Sequence, residues 1–104
     1  MIRRAFLMTL KADSQAEYEK RHNPIWPELQ RTLKEHGVSN YSIFLEPGSD
    51  LLFAYAEIES EERWQRIAET EICQRWWASM SELMLTQPDD SPQTVALSEV
   101  FHLD

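Results

Sequence analysis

The chain has little of what marks secreted, membrane-embedded or metal-finger proteins. It has one cysteine, Cys73, which cannot form an internal disulfide, and no Cys/His spacing matches a metal finger. No apolar run approaches the length that crosses a bilayer, and residues 1–10 are too alternating for a signal peptide. We therefore expect a cytoplasmic protein without a metal, a membrane partner or a disulfide, in which Cys73 is a small buried hydrophobe.

Basic residues are also scarce. Ten Lys and Arg stand against eighteen Asp and Glu, which gives a formal net charge of −8. This charge repels phosphate backbones and anionic membranes, so we expect no nucleic-acid partner.

The length and the aromatic content set the scale of the protein. A chain of 104 residues with 42% hydrophobic content predicts one domain, residues 1–104, with one core. Four Trp, three Tyr and four Phe are more aromatic surface than a minimal core needs. We expect some of them to face a ligand or a partner.

The first third of the chain reads as a strand and a helical arm. Alternating β-formers predict a strand over Ile2–Leu10. Asp13 or Ser14 is suited to cap a helix that is broken or kinked before Pro24, and a second segment opened by Pro24 stops at Gly37. Together these segments predict one long, kinked helical arm.

The remaining two thirds predict a hairpin, a capped helix and a last strand. Ser60 can cap a helix that Thr70 recaps and that continues through Met84. Alternating patterns predict strands over Val38–Leu45, Leu51–Glu59 and Val95–Leu103.

The resulting order β-α-β-β-α-β is the split βαβ arrangement of ferredoxin-like α+β domains, a four-stranded antiparallel sheet with helices on one face. The first, third and last strands carry apolar residues on both sides, so the uncovered face needs a cover. A second copy is the simplest one. Two sheets face to face predict a dimeric α+β barrel, a homodimer with a pocket in each subunit between sheet and helices.

Tyr18 and His22 are candidate site residues because they lie four positions apart on the predicted helix and point the same way. An imidazole titrates near neutral pH and can act as a general acid or base. The residues alone leave open a surface imidazole stabilised by a helix C-terminus. Dipole stabilisation explains His36 completely, and we assign no catalytic role to His36 or to His102 near the end of the chain.

Trp76 and Trp77 are adjacent on a predicted helix, so their side chains differ in direction by about 100°. They are either one core and one interface residue or a surface that stacks on a sugar. Tyr41 offers a ring and a hydroxyl but could equally be an ordinary strand aromatic. The acidic run from Glu57 to Glu62 lacks metal-site spacing and reads as a solvated edge.

Two segments carry a specific resemblance: Tyr18-Glu-Lys-Arg-His-Asn-Pro-Ile-Trp-Pro-Glu28 and Cys73-Gln-Arg-Trp-Trp77. They resemble the signature segments of L-rhamnose mutarotases. The likeness extends through residues 40–43, 51–54 and 57–64 and the ending 99–101, so it spans nearly the whole chain. It implies a dimeric α+β barrel, no cofactor, L-rhamnose as substrate and a role in rhamnose catabolism.

The resemblance also implies residue roles. The family's proton donor matches His22, and its sugar-contacting positions match Tyr18, Tyr41, Trp76 and Trp77. Under this hypothesis His22 is the general acid at the ring oxygen, the two Trp bind the apolar face and the 6-methyl group, and the two Tyr hold hydroxyls. The base stays open between a Tyr hydroxyl, a carboxylate and water. Departures in the loop 85–96 and in the hairpin turn bear on the preferred deoxy sugar.

Two other functions are compatible with the same fold. One is a cofactor-free or haem-degrading monooxygenase, which also places a His or an aromatic pair in its pocket. The other is a non-catalytic sensor or interaction domain, in which the Trp pair belongs to an interface.

Overall fold

Four strands and four short helices follow one another as strand, helix pair, two strands, helix pair and strand. The computed structural model describes all residues, 1–104. The elements are β1 (Ile2–Thr9), α1 (Gln15–Arg21), α2 (Pro27–Glu35), β2 (Val38–Leu45), β3 (Leu51–Ile58), α3 (Glu61–Ile67), α4 (Glu71–Met80) and β4 (Val95–Leu97). None of the helices is long and apolar enough to cross a membrane.

The four strands form one antiparallel sheet in the order β2-β3-β1-β4. β1 and β3 pair along their whole length, from Ile2 opposite Ile58 to Thr9 opposite Leu51. β2 and β3 form the predicted hairpin, with an irregularity between Ser39 and Ser42. This topology confirms the ferredoxin-like α+β prediction.

The core lies between the helices and one face of the sheet. Alternate side chains of β3 are buried there, among them Leu52 and Ile58, and Met8 of β1 joins them. The helices contribute one buried stripe each, with Leu29 from α2 and Trp76 from α4 as examples. The period-two alternation of the strands therefore separates the side chains that face the helices from those on the opposite face.

The opposite face of the sheet carries large apolar side chains with no cover in this chain. Phe44 and Val95 are each 60% exposed, Phe53 is 40% exposed and Leu97 is 37% exposed. Phe44 and Phe53 pair across β2 and β3, with ring centroids 6.5 Å apart. Leu7 of β1 lies opposite Val95 of β4 on the same side of the sheet. We call the surface formed by these five side chains the outer face.

The prediction of one long, kinked helical arm is wrong, because the structure has two separate helices there. α1 ends at Arg21, and α2 begins at Pro27 rather than at Pro24. Pro24 disfavours helical backbone at Asn23, and its peptide bond is cis. Pro27 occupies the first turn of α2, where its missing N–H costs nothing.

The helix caps are mostly as predicted. Ser60 accepts a hydrogen bond from the backbone N–H of Arg63, and Thr70 accepts one from Cys73. Ser14 holds the N-cap position of α1, but its side chain makes no capping hydrogen bond.

Two predicted ends are wrong. α4 stops at Met80 instead of Met84, because Met84 pairs with Leu10 beyond the end of β1. β4 stops at Leu97 instead of Leu103. Beyond it, an ion pair of 2.7 Å joins Arg3 to Glu99, and the later apolar side chains Val100, Phe101 and Leu103 are largely exposed.

Candidate active site

A cavity of about 1340 Å³ opens between the helices and the sheet. Strands β1, β2 and β3 form its floor, and its walls come from the helices and from the loop around residues 90–94. Its lining is mostly apolar, as in pockets that bind small organic ligands. The structure brings all five residues singled out in the sequence to this cavity: Tyr18, His22, Tyr41, Trp76 and Trp77.

His22 directly follows α1, and the last turn of that helix orients its ring. The imidazole lies against the ring of Tyr18, with centroids 4.3 Å apart. Its Nδ1 is 2.8 Å from the backbone carbonyl oxygen of Tyr18. A carbonyl oxygen only accepts, so Nδ1 carries the hydrogen that it donates. In the neutral ring this leaves the lone pair on Nε2.

Trp76 is the buried partner of this pair. Its indole meets the His22 imidazole edge to face, with centroids 5.1 Å apart, and it meets Trp26 in the same manner at 5.1 Å. Trp77 is less buried and also lines the cavity. The two adjacent indoles therefore both border the face of α4 that lines the cavity.

Burial controls the protonation of the site. It lowers the pKa of His22, and the hydrogen bond to the Tyr18 carbonyl offsets this only in part. His22 is therefore neutral at pH 7. Burial raises the pKa of Tyr41 to about 12 and also raises the pKa of Tyr18. Both phenols keep their protons at neutral pH and can donate hydrogen bonds.

Other polar groups have structural partners. His36 Nδ1 donates to the carbonyl oxygen of Thr32, and His102 pairs with Asp104. Burial raises the pKa of the Cys73 thiol to about 12, so it stays protonated. No three His, Cys, Asp or Glu side chains converge as a metal-binding set.

The acidic run from Glu57 to Glu62 is a paired surface, in agreement with the sequence interpretation of a solvated edge. Glu57 accepts from Asn40 and Tyr55. The other members form ion pairs with arginines: Glu59 with Arg63, Glu61 with Arg4 and Glu62 with Arg66.

Sequence reasoning missed two residues beside the site. Trp26 supports Trp76 from the segment between α1 and α2. Arg21 joins the end of α1 to the end of α4. Trp26 lies within the motif that carried the resemblance. Because the segment between α1 and α2 is not helical, the four-residue spacing from His22 to Trp26 does not predict that the two side chains point the same way.

The sheet order, the helix pairs and a cavity lined by a histidine and aromatic rings define a ferredoxin-like α+β protein with an aromatic-lined cavity between sheet and helices. Solved structures with low sequence identity share this fold, among them a putative antibiotic biosynthesis monooxygenase from Nitrosomonas europaea, at 12% identity and a TM-score of 0.66 over 97% of this chain and 100% of that one. A likeness at this identity concerns the fold alone.

Comparisons of sequence are more specific. A family model described as L-rhamnose mutarotase matches residues 3–103. The L-rhamnose mutarotase of Tolumonas auensis is 57% identical over 103 residues, 99% of each chain, and that of Enterobacter sp. is 55% identical over the full length of both. The crystal structure of an L-rhamnose mutarotase from Formosa agariphila superposes with a TM-score of 0.91 at 38% identity, covering both chains completely. The chain belongs to the L-rhamnose mutarotase family.

Proposed function

We propose that the protein interconverts the α and β anomers of L-rhamnose, with His22 as its acid/base group. The observation that carries this proposal is the full-length family match together with the convergence of His22 and four aromatic residues on one cavity. Supplying the required anomer to rhamnose catabolism is the corresponding role in the cell.

Mutarotation needs proton transfers and no other chemistry. The anomeric hydroxyl O1 loses its proton, the C1–O5 bond breaks as the C1=O1 carbonyl forms, and O5 takes a proton. Rotation about C1–C2 and reclosure on the other carbonyl face give the second anomer. Both oxygens are bonded to C1, so one side chain placed beside C1 can serve both transfers.

The protonation state of His22 sets the order of the steps. A neutral imidazole must accept a proton before it can donate one. Its free Nε2 takes the proton from O1, and the resulting imidazolium returns a proton to O5 as the ring opens. The acid role at the ring oxygen is thus retained, and the base that the sequence left open is the same imidazole. Catalysis of this kind contributes about 10²–10⁴-fold.

The aromatic residues bind and orient the sugar. The indoles of Trp76 and Trp77 offer apolar surface for the sugar's C–H face and 6-methyl group. The hydroxyls of Tyr18 and Tyr41, held protonated by burial, donate to sugar hydroxyls. These contacts place C1 beside His22.

The proposal extends to a homodimer. The outer face groups exposed aromatic and aliphatic side chains, a kind of surface that soluble monomers rarely leave uncovered. Packing it on the same face of a second copy closes a dimeric α+β barrel and leaves both cavities on the outside of the joined sheets. A cytoplasmic setting suits the free buried thiol of Cys73, and the net charge of −8 disfavours nucleic acid as a partner.

Exchange NMR tests the reaction. Magnetisation transfer between the α and β anomeric protons of L-rhamnose at equilibrium should speed up in proportion to the enzyme added. L-mannose, which differs from L-rhamnose by a hydroxyl on C6, should respond less, because its hydroxyl loses water without gaining a partner in an apolar pocket. No acceleration with L-rhamnose or with other deoxy sugars would contradict the proposal.

A further inference from the structure

Arg21 joins the two helices that carry the proposed acid/base group and its aromatic support. Its Nη1 donates to the backbone carbonyl oxygen of Ser79, near the end of α4, at 2.5 Å. Its Nη2 donates to Glu82, just beyond α4, at 2.5 Å, and its Nε donates to Glu17 on α1 at 2.9 Å. One planar guanidinium at the end of α1 therefore binds the first turn of its own helix and the end of α4 at once.

The positions of these contacts relate them to the site. Arg21 is the last residue of α1, and His22 follows it directly. Ser79 lies three positions after Trp76 on α4, so the carbonyl that Arg21 binds is almost one turn from the indole that meets His22. The imidazole and the indole thus lie beside the two helix ends that Arg21 joins.

Arg21 itself is absent from the lining of the cavity. Its side chain is partly exposed, at 27%, on the outside of the helix pair. Its effect on the reaction therefore has to pass through the position of His22 and Trp76.

We propose that Arg21 is a positioning residue for mutarotation, which holds His22 at its working distance from Trp76 and from the bound sugar. The inference rests on the proposed function. Partly exposed ion pairs contribute little to global stability, so the main consequence of losing this one is geometric. A misplacement of about 1 Å caused by a residue outside the site can cost up to about 10²-fold in rate.

The test compares Arg21→Met, which keeps the aliphatic stem and loses the guanidinium, with Arg21→Lys. Arg66→Met is the matched control, because Arg66 also pairs with a glutamate four residues earlier but lies on α3. Exchange NMR at several L-rhamnose concentrations separates kcat from KM. The ring-proton shifts of His22, which lies against the rings of Tyr18 and Trp76, report its position without substrate.

We expect Arg21→Met to lower kcat by about tenfold or more while KM changes little, since the groups that bind the sugar are retained. The His22 ring-proton shifts should move toward those of a free imidazole. The kcat of Arg21→Lys should lie between those of the wild type and Arg21→Met, because an ammonium keeps the charge but lacks the planar fork that spans both helices. Arg66→Met should match the wild type in both measurements.

Wild-type kcat and unchanged His22 shifts in Arg21→Met would overturn the inference. A loss of activity that only tracks the folded fraction in near-UV circular dichroism would also overturn it. If the wild-type enzyme does not speed exchange, the proposed function fails, and the His22 shifts of Arg21→Met then decide the positioning role by themselves.

Discussion

At the scale of single residues, the chemistry depends on how His22 is held. The Tyr18 carbonyl fixes the hydrogen on Nδ1, and burial keeps the ring neutral. A neutral ring with its free nitrogen on Nε2 is ready to accept a proton. The phenols of Tyr18 and Tyr41, which line the same cavity, hold their protons well above neutral pH and add no charge change of their own near pH 7.

The activity should therefore fall only on the acid side of neutrality. The pKa of His22 lies below its ordinary value of 6.5, so kcat/KM should be flat around pH 7 and drop as the pH passes below that lowered pKa. Exchange NMR between pH 4.5 and pH 8, with rates corrected for the uncatalysed reaction, measures the profile. A loss of activity that begins above pH 7 would contradict a neutral, buried imidazole.

The same pKa shift predicts a stability effect with a definite sign. Since the pKa is lower in the folded protein, the unfolded chain binds the His22 proton more readily. His22 therefore destabilises the fold progressively as the pH falls from 6.5 toward the folded-state pKa, and has no such effect above 6.5. Replacing His22 with Gln should flatten this part of the dependence in urea unfolding, and an unchanged dependence would contradict the lowered pKa.

The site could be predicted in part from local spacing. The four-residue interval between Tyr18 and His22 correctly placed both on one side of a helix. The contacts of Trp26 and Arg21 could not be predicted from local spacing, because both are made with α4, about 50 or more residues further along the chain. The roles of the five predicted site residues in binding and catalysis stay predictions.

At the scale of elements, the helix boundaries show which sequence features predict helix starts and ends well. Side-chain caps at Ser60 and Thr70 gave correct helix starts, because each supplies a hydrogen bond that the helix otherwise lacks. The end of α4 and the length of β4 could not be predicted from the local sequence. Met84 is apolar and continues the helical pattern, but in the structure it pairs with Leu10 instead. Residues after Leu97 lack a strand partner in this chain.

Gly37, the predicted stop of the helical arm, offers a test at this scale. Its φ is +80°, and a Cβ there would lie 2.8 Å from the Cβ of Glu59, which cannot easily move away. Gly48, in the hairpin turn, has the same φ with open space around it. Both changes to Ala should cost about 1–2 kcal/mol of unfolding free energy for the left-handed backbone, and Gly37→Ala should cost more because of the contact with Glu59.

Urea unfolding of the two glycine variants measures the difference. Gly48→Ala is the control for the backbone term alone. Equal losses in the two variants would mean that Glu59 and the neighbouring chain relax freely, and that the close approach of Gly37 to Glu59 does not constrain the fold.

At the scale of the whole molecule, the outer face is the feature on which the proposed assembly depends. Amphipathic patterning correctly predicted a sheet with apolar residues on both sides, and the structure shows the outer side uncovered in one chain. The sequence could predict that a cover is needed, because exposed aromatic side chains on a sheet promote association. The homodimer stays a prediction.

Phe44→Glu should convert the proposed dimer into a monomer. The carboxylate would be buried without a partner on the outer face, where Phe44 packs against Phe53. Ala78→Glu adds the same charge at an exposed position on α4 and should leave the assembly unchanged. Light scattering after size exclusion gives the mass. A wild-type mass of one chain, or a dimeric Phe44→Glu variant, would contradict this interface.

The central claim is that His22 transfers the protons of mutarotation. The most direct test is exchange NMR of L-rhamnose with wild type and with His22→Ala, with sugar binding followed by quenching of Trp fluorescence. The account predicts that the variant loses about 10²–10⁴-fold in exchange rate and still binds the sugar, because Tyr18, Tyr41, Trp76 and Trp77 remain in place. An unchanged exchange rate in His22→Ala would contradict it.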